Sequence, residues 1–150
     1  MLKLLLLGLL VLVVLLAVWS RVGAAMVERR YPPLGAFIEV DGVRLHYLMA
    51  GEGPTMVLLH GANSNLRDFS SSILPELAKR YRVIAFDRPG LGYSQRPRGD
   101  WPTPARTAQL ILDAAAKLGA EEPLLVGHSW AGSIVMAALV ETPERVSGGV

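Results

Sequence analysis

The stretch from Leu124 to Leu139, LLVGHSWAGSIVMAAL, decides the fold that the sequence predicts. An apolar run stops at Gly127-His128-Ser129, and a second long apolar run follows Trp130. This order predicts a buried strand, a sharp turn and a helix. Such a turn holds the serine in a strained backbone conformation, with its hydroxyl exposed at the start of the helix. Ser129 is therefore a candidate nucleophile, and the alternative is a serine that only caps the helix.

The residues on either side of Ser129 fit a tight turn. A strand and a helix pack closely around such a turn, so the residues two before and two after the serine must be small. Gly127 and Ala131 occupy these positions, and Gly132 follows directly. The sequence therefore predicts close packing on both sides of Ser129.

The rest of the chain predicts an α/β sheet around this turn. Asp41-Gly42 lies between two short apolar segments and is a strong hairpin signal. Strands and helices then alternate, which predicts a sheet that is parallel apart from its first strands, with helices on both faces. The predicted strands are Phe37–Val40, Val43–Leu48, Thr55–Leu59, Tyr81–Phe86, Leu124–Val126 and Val146–Val150. The predicted helices are Leu66–Arg80, kinked or split at Pro75, then Thr107–Leu118 and Trp130–Glu141.

Polar segments follow three of the predicted parallel strands. They are His60-Gly61, Asp87-Arg88-Pro89-Gly90 and the segment from Gly127 to Ala131. In a sheet of this type, ligands bind at the carboxyl ends of the strands. The sequence therefore places its candidate functional site at this end of the sheet.

These three segments resemble the α/β-hydrolase family from about Phe37 to the end of the chain. The resemblance implies that Ser129 attacks an acyl carbonyl or a similar electrophile of a small-molecule ester or acyl substrate. It also implies an oxyanion hole built from the backbone N–H groups of Trp130 and Ala62, with no cofactor. His60, Gly61, Gly127, His128 and Ala131 support the two motifs. Asp87 is expected to hold its loop, and the Trp130 side chain is expected to line the acyl pocket.

The same resemblance leaves the base that activates Ser129 unassigned. The family places its acid and its histidine after the nucleophile, whereas only Glu141 and Glu144 follow Ser129 as acids here, and no histidine does. None of the three upstream histidines is a convincing base, and His46 is expected to be a solvated or satisfied strand residue. We therefore expect the chain to be the N-terminal portion of a hydrolase, with little turnover by itself. The alternative is a non-catalytic binding or scaffold protein on a hydrolase fold.

The N-terminus carries an unbroken apolar run of sixteen residues, Leu4–Trp19. As a helix this run spans about 24 Å, and Lys3 and Arg21 at its ends can extend toward the membrane surface. We predict a single-pass membrane anchor over residues 1–27, a linker over 28–35 and the hydrolase domain over 36–150. The alternative is a signal peptide cleaved after Ala24 or Ala25, which would make the protein secreted or periplasmic.

Composition argues against other classes of function. The net charge is +2 and no block of like charges occurs, whereas nucleic-acid binding needs a concentrated basic face. Arg88, Arg96 and Arg98 are expected to be solvated, with attraction of an anionic substrate or lipid headgroups as the alternative. Gly90-Leu91-Gly92 lacks the third glycine of a dinucleotide motif, because that position is Gln95. There is no cysteine, and no spacing typical of metal ligands occurs.

Overall fold

The computed structural model describes residues 1–150, which divide into two compact units, Met1–Pro33 and Leu34–Val150. The first unit contains helix α1, Leu2–Arg30, in which no residue is buried. Its 29 residues are long enough and apolar enough to cross a membrane, a test that a signal sequence also passes. The helix includes Glu28–Arg30, so it extends three residues into the predicted linker.

The second unit is built on one sheet of six strands in the order β1-β2-β4-β3-β5-β6. Strands β1, β2 and β4 pair antiparallel, and all other pairs are parallel, which confirms the mostly parallel α/β sheet. Asp41 and Gly42 both have positive φ, of 48° and 70°, as the tight turn between β1 and β2 requires. The strands are β1 Ala36–Val40, β2 Val43–Ala50, β3 Thr55–Leu59, β4 Arg82–Phe86, β5 Leu124–Gly127 and β6 Gly148–Gly149.

Helices cover both faces of the sheet, and the central strands are buried on both sides. Along β3, Val57 and Leu59 join the apolar core that also contains α4 and α5. Leu58, which points the other way, packs with Leu66 and Leu74 from the segment of α2 and α3. The helices are α2 Arg67–Ser70, α3 Ile73–Leu77, α4 Pro104–Lys117 and α5 Gly132–Glu141, with 3₁₀ turns at Ser129–Ala131 and Pro143–Arg145.

The prediction of one helix over Leu66–Arg80 with a break at Pro75 is wrong in its position. The break lies at Ser71-Ser72, between α2 and α3. Pro75 is the third residue of α3, where the N–H that proline lacks has no partner within the helix. The proline therefore fits the first turn of a helix and does not interrupt one.

Three other predicted boundaries shift. Helix α4 starts at Pro104 and not at Thr107, because the Thr103 side chain accepts a hydrogen bond from the Arg106 N–H and caps it. The helix predicted from Trp130 begins as a 3₁₀ turn before α5. The strand predicted over Val146–Val150 is limited to Gly148–Gly149.

Candidate active site

Ser129 is the first residue of the 3₁₀ turn that connects β5 to α5. Its φ is 55°, in the left-handed region that non-glycine residues rarely adopt. The backbone N–H of His128 donates to the Leu59 carbonyl of the neighbouring strand at 2.9 Å and fixes the start of the turn. Ser129 is exposed, and its hydroxyl makes no hydrogen bond to another residue. The turn thus presents an unengaged hydroxyl above the carboxyl end of the sheet.

Gly127 is required by the close approach of β5 and α5. A Cβ atom at this position would lie 2.7 Å from the carbonyl oxygen of Ala131 and 2.7 Å from Cγ2 of Val135. Ala131 is itself fully buried. The small residues predicted on either side of Ser129 therefore lie where there is no space for larger ones.

The loop after β3 packs directly against the turn that holds Ser129. A Cβ atom on Gly61 would lie 2.9 Å from Nδ1 of His128 and 3.4 Å from Cβ of Ser129. Ala62 follows, and its backbone N–H donates to no protein acceptor, nor does that of Trp130. The two segments that carry these N–H groups are in contact, beside an exposed serine.

His60 is fully buried beneath this loop, and its hydrogen bonds define its protonation state. Nε2 accepts from the Arg88 N–H at 3.0 Å, so Nδ1 carries the proton and donates to the Gly61 carbonyl at 3.0 Å. Burial lowers the pKa of His60, and the hydrogen bond to Gly61 only partly opposes this effect. A neutral His60 therefore holds the peptide that precedes Ala62.

The Arg88 side chain links the loop after β3 to the turn at Ser129. Its guanidinium donates from Nη2 to the Gly61 carbonyl at 2.8 Å and stacks over the Trp130 ring at 4.6 Å. Arg88 is 5% exposed, and burial lowers its pKa, although the group stays charged. A cavity of about 290 Å³ adjoins it, lined by Ala62, Asn63, Arg88, Leu91, Trp101 and Trp130.

A buried ion pair between His46 and Asp87, which the sequence did not predict, lies next to this site. Nδ1 of His46 lies 2.7 Å from Oδ2 of Asp87, and both side chains are 2% exposed. Asp87 also accepts from the backbone N–H groups of Leu66 and Tyr93, each at 2.8 Å. The other ring nitrogen of His46 bonds to the carbonyl of Leu34. Both ring nitrogens of His46 are therefore engaged by oxygen atoms.

The surroundings of Asp87 favour its charged form. Burial alone would raise the pKa of this carboxyl, but the hydrogen bond from His46 and the two backbone N–H groups outweigh it and hold the pKa below its usual range. The sequence did contain a signal for the pair. His46 shares its face of β2 with Leu48 and Ala50, and Asp87 follows β4, the strand that pairs with β2.

None of the three histidines is hydrogen-bonded to the hydroxyl of Ser129. His46 contacts Asp87 and His60 contacts Gly61 and Arg88, whereas His128 is exposed beside the serine. The structure brings together all the residues that the sequence predicted for the two motifs, but it shows no proton acceptor for Ser129. It also contains no group of three His, Cys, Asp or Glu residues that could hold a metal ion.

Comparison with known proteins shows the family. The family model for the alpha/beta hydrolase fold matches residues 54–150. Haloalkane dehalogenase 2 of Mycobacterium tuberculosis is 34% identical over 120 residues, which are 80% of this chain and 42% of that protein. The 2-hydroxymuconate semialdehyde hydrolase of a Pseudomonas species is 36% identical over 123 residues, 77% of this chain and 41% of that protein.

Solved structures agree with this result. A hydrolase from Pseudomonas aeruginosa superposes with a TM-score of 0.69 and 26% identity, over 76% of this chain and 43% of that one. This chain therefore spans less than half the length of each of these three proteins. The matched family model, the relatives and the sheet order lead to one conclusion: the chain belongs to the α/β hydrolase fold family.

Proposed function

We propose that the protein is a serine hydrolase that cleaves an ester or a similar acyl bond of a small molecule. One observation carries this proposal: Ser129 has a left-handed backbone conformation and an exposed hydroxyl. The unengaged N–H groups of Ala62 and Trp130 belong to segments in contact beside it. Each donor of this kind stabilises a developing oxyanion by about 3 kcal/mol.

In the proposed reaction, Oγ of Ser129 forms a bond to the acyl carbon while the carbonyl double bond becomes a single bond. The negative oxygen is held by the N–H groups of Ala62 and Trp130. Expulsion of the protonated alcohol leaves an acyl-enzyme, which water then hydrolyses to the acid and free Ser129. A base must take the serine proton, and we assign that base to none of the three histidines, since no ring contacts the hydroxyl.

The nucleophile distinguishes this proposal from the activity named for one relative. That relative is a haloalkane dehalogenase, whereas the candidate nucleophile of this chain is the hydroxyl of Ser129. A hydroxyl forms an ester with an acyl group, which water can cleave at the carbonyl. We therefore propose acyl transfer to water, and not dehalogenation, for this chain.

A fluorophosphonate probe tests the assignment on the protein expressed from its complete gene. We expect covalent labelling that disappears in Ser129→Ala. Ser133→Ala is the matched control, because Ser133 is also exposed, four residues further along, and its hydroxyl bonds only to the Trp130 carbonyl. Labelling that persists in Ser129→Ala, or no labelling at all, contradicts the proposal and favours a non-catalytic binding protein.

We further propose that α1 anchors the protein in a membrane as a single span. The apolar length of Leu2–Arg30 supports this, and Arg29 and Arg30 at its end suit the membrane surface. The alternative is that α1 is removed as a signal peptide, and the first residue of the mature protein distinguishes the two.

A further inference from the structure

Arg88 is a buried cation without an anionic partner. It is 5% exposed, and none of the ion pairs in the structure includes it. The neighbouring carboxylate, Asp87, is already occupied by His46 and two backbone N–H groups. A buried charge is costly unless it is paired, so an arginine in this state is unusual in a purely structural role.

The guanidinium of Arg88 keeps donors available on its cavity side. Of its three nitrogens, only Nη2 makes a hydrogen bond, to the Gly61 carbonyl. Nε is the one buried side-chain nitrogen or oxygen without any partner. Nη1 also has no hydrogen-bond partner and is not enclosed in this way, so it keeps its donors free in a side chain that lines the cavity. The central carbon of the guanidinium lies 4.6 Å from the centre of the Trp130 ring, which covers the group on one side.

The cavity that Arg88 lines is the same one that adjoins the proposed oxyanion hole. Ala62 and Trp130, which supply the two N–H groups, line it together with Asn63, Leu91 and Trp101. Arg88 is the only charged residue in this lining. A volume of about 290 Å³ suits a small acyl group.

We propose that Arg88 binds a carboxylate of the substrate, so that the hydrolase acts on small acyl compounds that carry a negative charge near the scissile bond. This proposal rests on the proposed function. The N–H groups of Nη1 can donate charge-assisted hydrogen bonds to such a carboxylate, and bonds of this kind are stronger than those between neutral groups. The stacking on Trp130 fixes the orientation of those donors in advance.

Paired substrates test the proposal on the protein expressed from its complete gene. One is the p-nitrophenyl monoester of glutarate, which carries a terminal carboxylate. The other is its neutral counterpart, in which an amide of the same size replaces that carboxylate. We expect kcat/KM to favour the carboxylate by about 10- to 100-fold, as a charged hydrogen bond provides. If the wild-type protein hydrolyses both substrates with the same kcat/KM, the proposal is overturned, and no variant is needed to show it.

Arg88→Met should lower kcat/KM for the carboxylate substrate at least tenfold more than for the neutral one, so that the preference disappears. Arg96→Met is the matched control, because Arg96 is exposed, stacks on Trp101 at 4.8 Å and does not line the cavity. It should keep the preference. An equal loss on both substrates in a folded Arg88→Met would instead show that Arg88 only supports the loop at Gly61. Arg88→Lys, which keeps the charge, should retain part of the preference if Arg88→Met does not fold.

A binding measurement separates this proposal from the proposed function. In Ser129→Ala, calorimetric titration with the monoamide of glutarate, which carries one carboxylate, should show a Kd at least tenfold lower than titration with the diamide, which carries none. Arg88→Met in the same background should abolish the difference. Binding that depends on Arg88 without any turnover would refute the serine hydrolase and leave the anion site. Turnover without charge preference would refute the anion site alone.

Discussion

Replacement of Ser129 by glycine should stabilise the folded protein relative to replacement by alanine. Both variants lack the hydroxyl, which makes no hydrogen bond in the structure. They differ in the cost of the backbone conformation, because φ at this position is 55°. Alanine keeps the steric strain of the left-handed region, and glycine removes it.

The size of the difference follows from two opposing terms. Relief of the left-handed conformation is worth about 1–2 kcal/mol. The greater conformational freedom of glycine in the unfolded chain lowers the free energy of unfolding by about 0.4–1 kcal/mol. The expected net gain in the free energy of unfolding is therefore about 0.5–1 kcal/mol, which corresponds to a Tm higher by about 2–5 °C for a unit of this size.

The assay is thermal unfolding of both variants, followed by circular dichroism in a mild detergent that keeps α1 soluble. Ser133 provides a control of opposite sign, since it lies within α5 and its alanine and glycine variants lose the same hydrogen bond. At this position glycine should be less stable than alanine by about 1 kcal/mol. If Ser129→Gly unfolds at a lower temperature than Ser129→Ala, the backbone strain assigned to this turn does not exist.

Three further predictions concern the ion pair, the tight turn and α1. Asp87→Asn should cost about 3 kcal/mol, because the amide keeps only one accepting oxygen and its NH₂ group leaves one of the three buried donors around it without an acceptor. Since the pKa of Asp87 is lowered in the folded state, wild-type stability should fall as the pH drops below the usual carboxyl range, and urea titrations of Asp87→Asn should show a weaker fall there. Gly127→Ala should cost about 1–3 kcal/mol and reduce probe labelling, whereas Gly132→Ala, at a helical position where a Cβ meets nothing within 4 Å, should melt at or above the temperature of wild type. Deletion of residues 1–30 should move the protein from carbonate-washed membranes to the soluble fraction, and an N-terminus starting after Ala24 or Ala25 would show a cleaved signal peptide instead.

The fold was predictable because its signals are local. Apolar runs of four to six residues bounded by glycine and proline located the strands, and their alternation with helices predicted that most strands run parallel. The segment from Gly127 to Ala131 was predictable for the same reason, since one strand, one turn and one helix enforce its small residues. The apolar pattern did not predict the start of α4, because that start is set by the side-chain cap at Thr103, which precedes the pattern.

The contacts between distant segments were not predictable in the same way. The pair of His46 and Asp87 joins residues 41 positions apart, and of its other partners Leu66 comes from the loop after β3 and Tyr93 from the loop of Asp87 itself. The engagement of Arg88 with Gly61 and Trp130 likewise depends on how three strand ends meet. No periodicity within a single segment encodes such contacts, so sequence reasoning treated these residues as solvated or as holding one loop.

The carboxylate of Asp87 has a practical consequence for protein engineering. It receives hydrogen bonds from β2 and from the loops after β3 and β4, so these three segments share one buried anchor. A library that aims to change substrate preference would lose most of its members if it randomised Asp87 or His46. Diversity belongs instead at Leu91 and Trp101, which line the cavity and are not part of this anchor. The chain thus separates positions that can be varied from positions that must be kept.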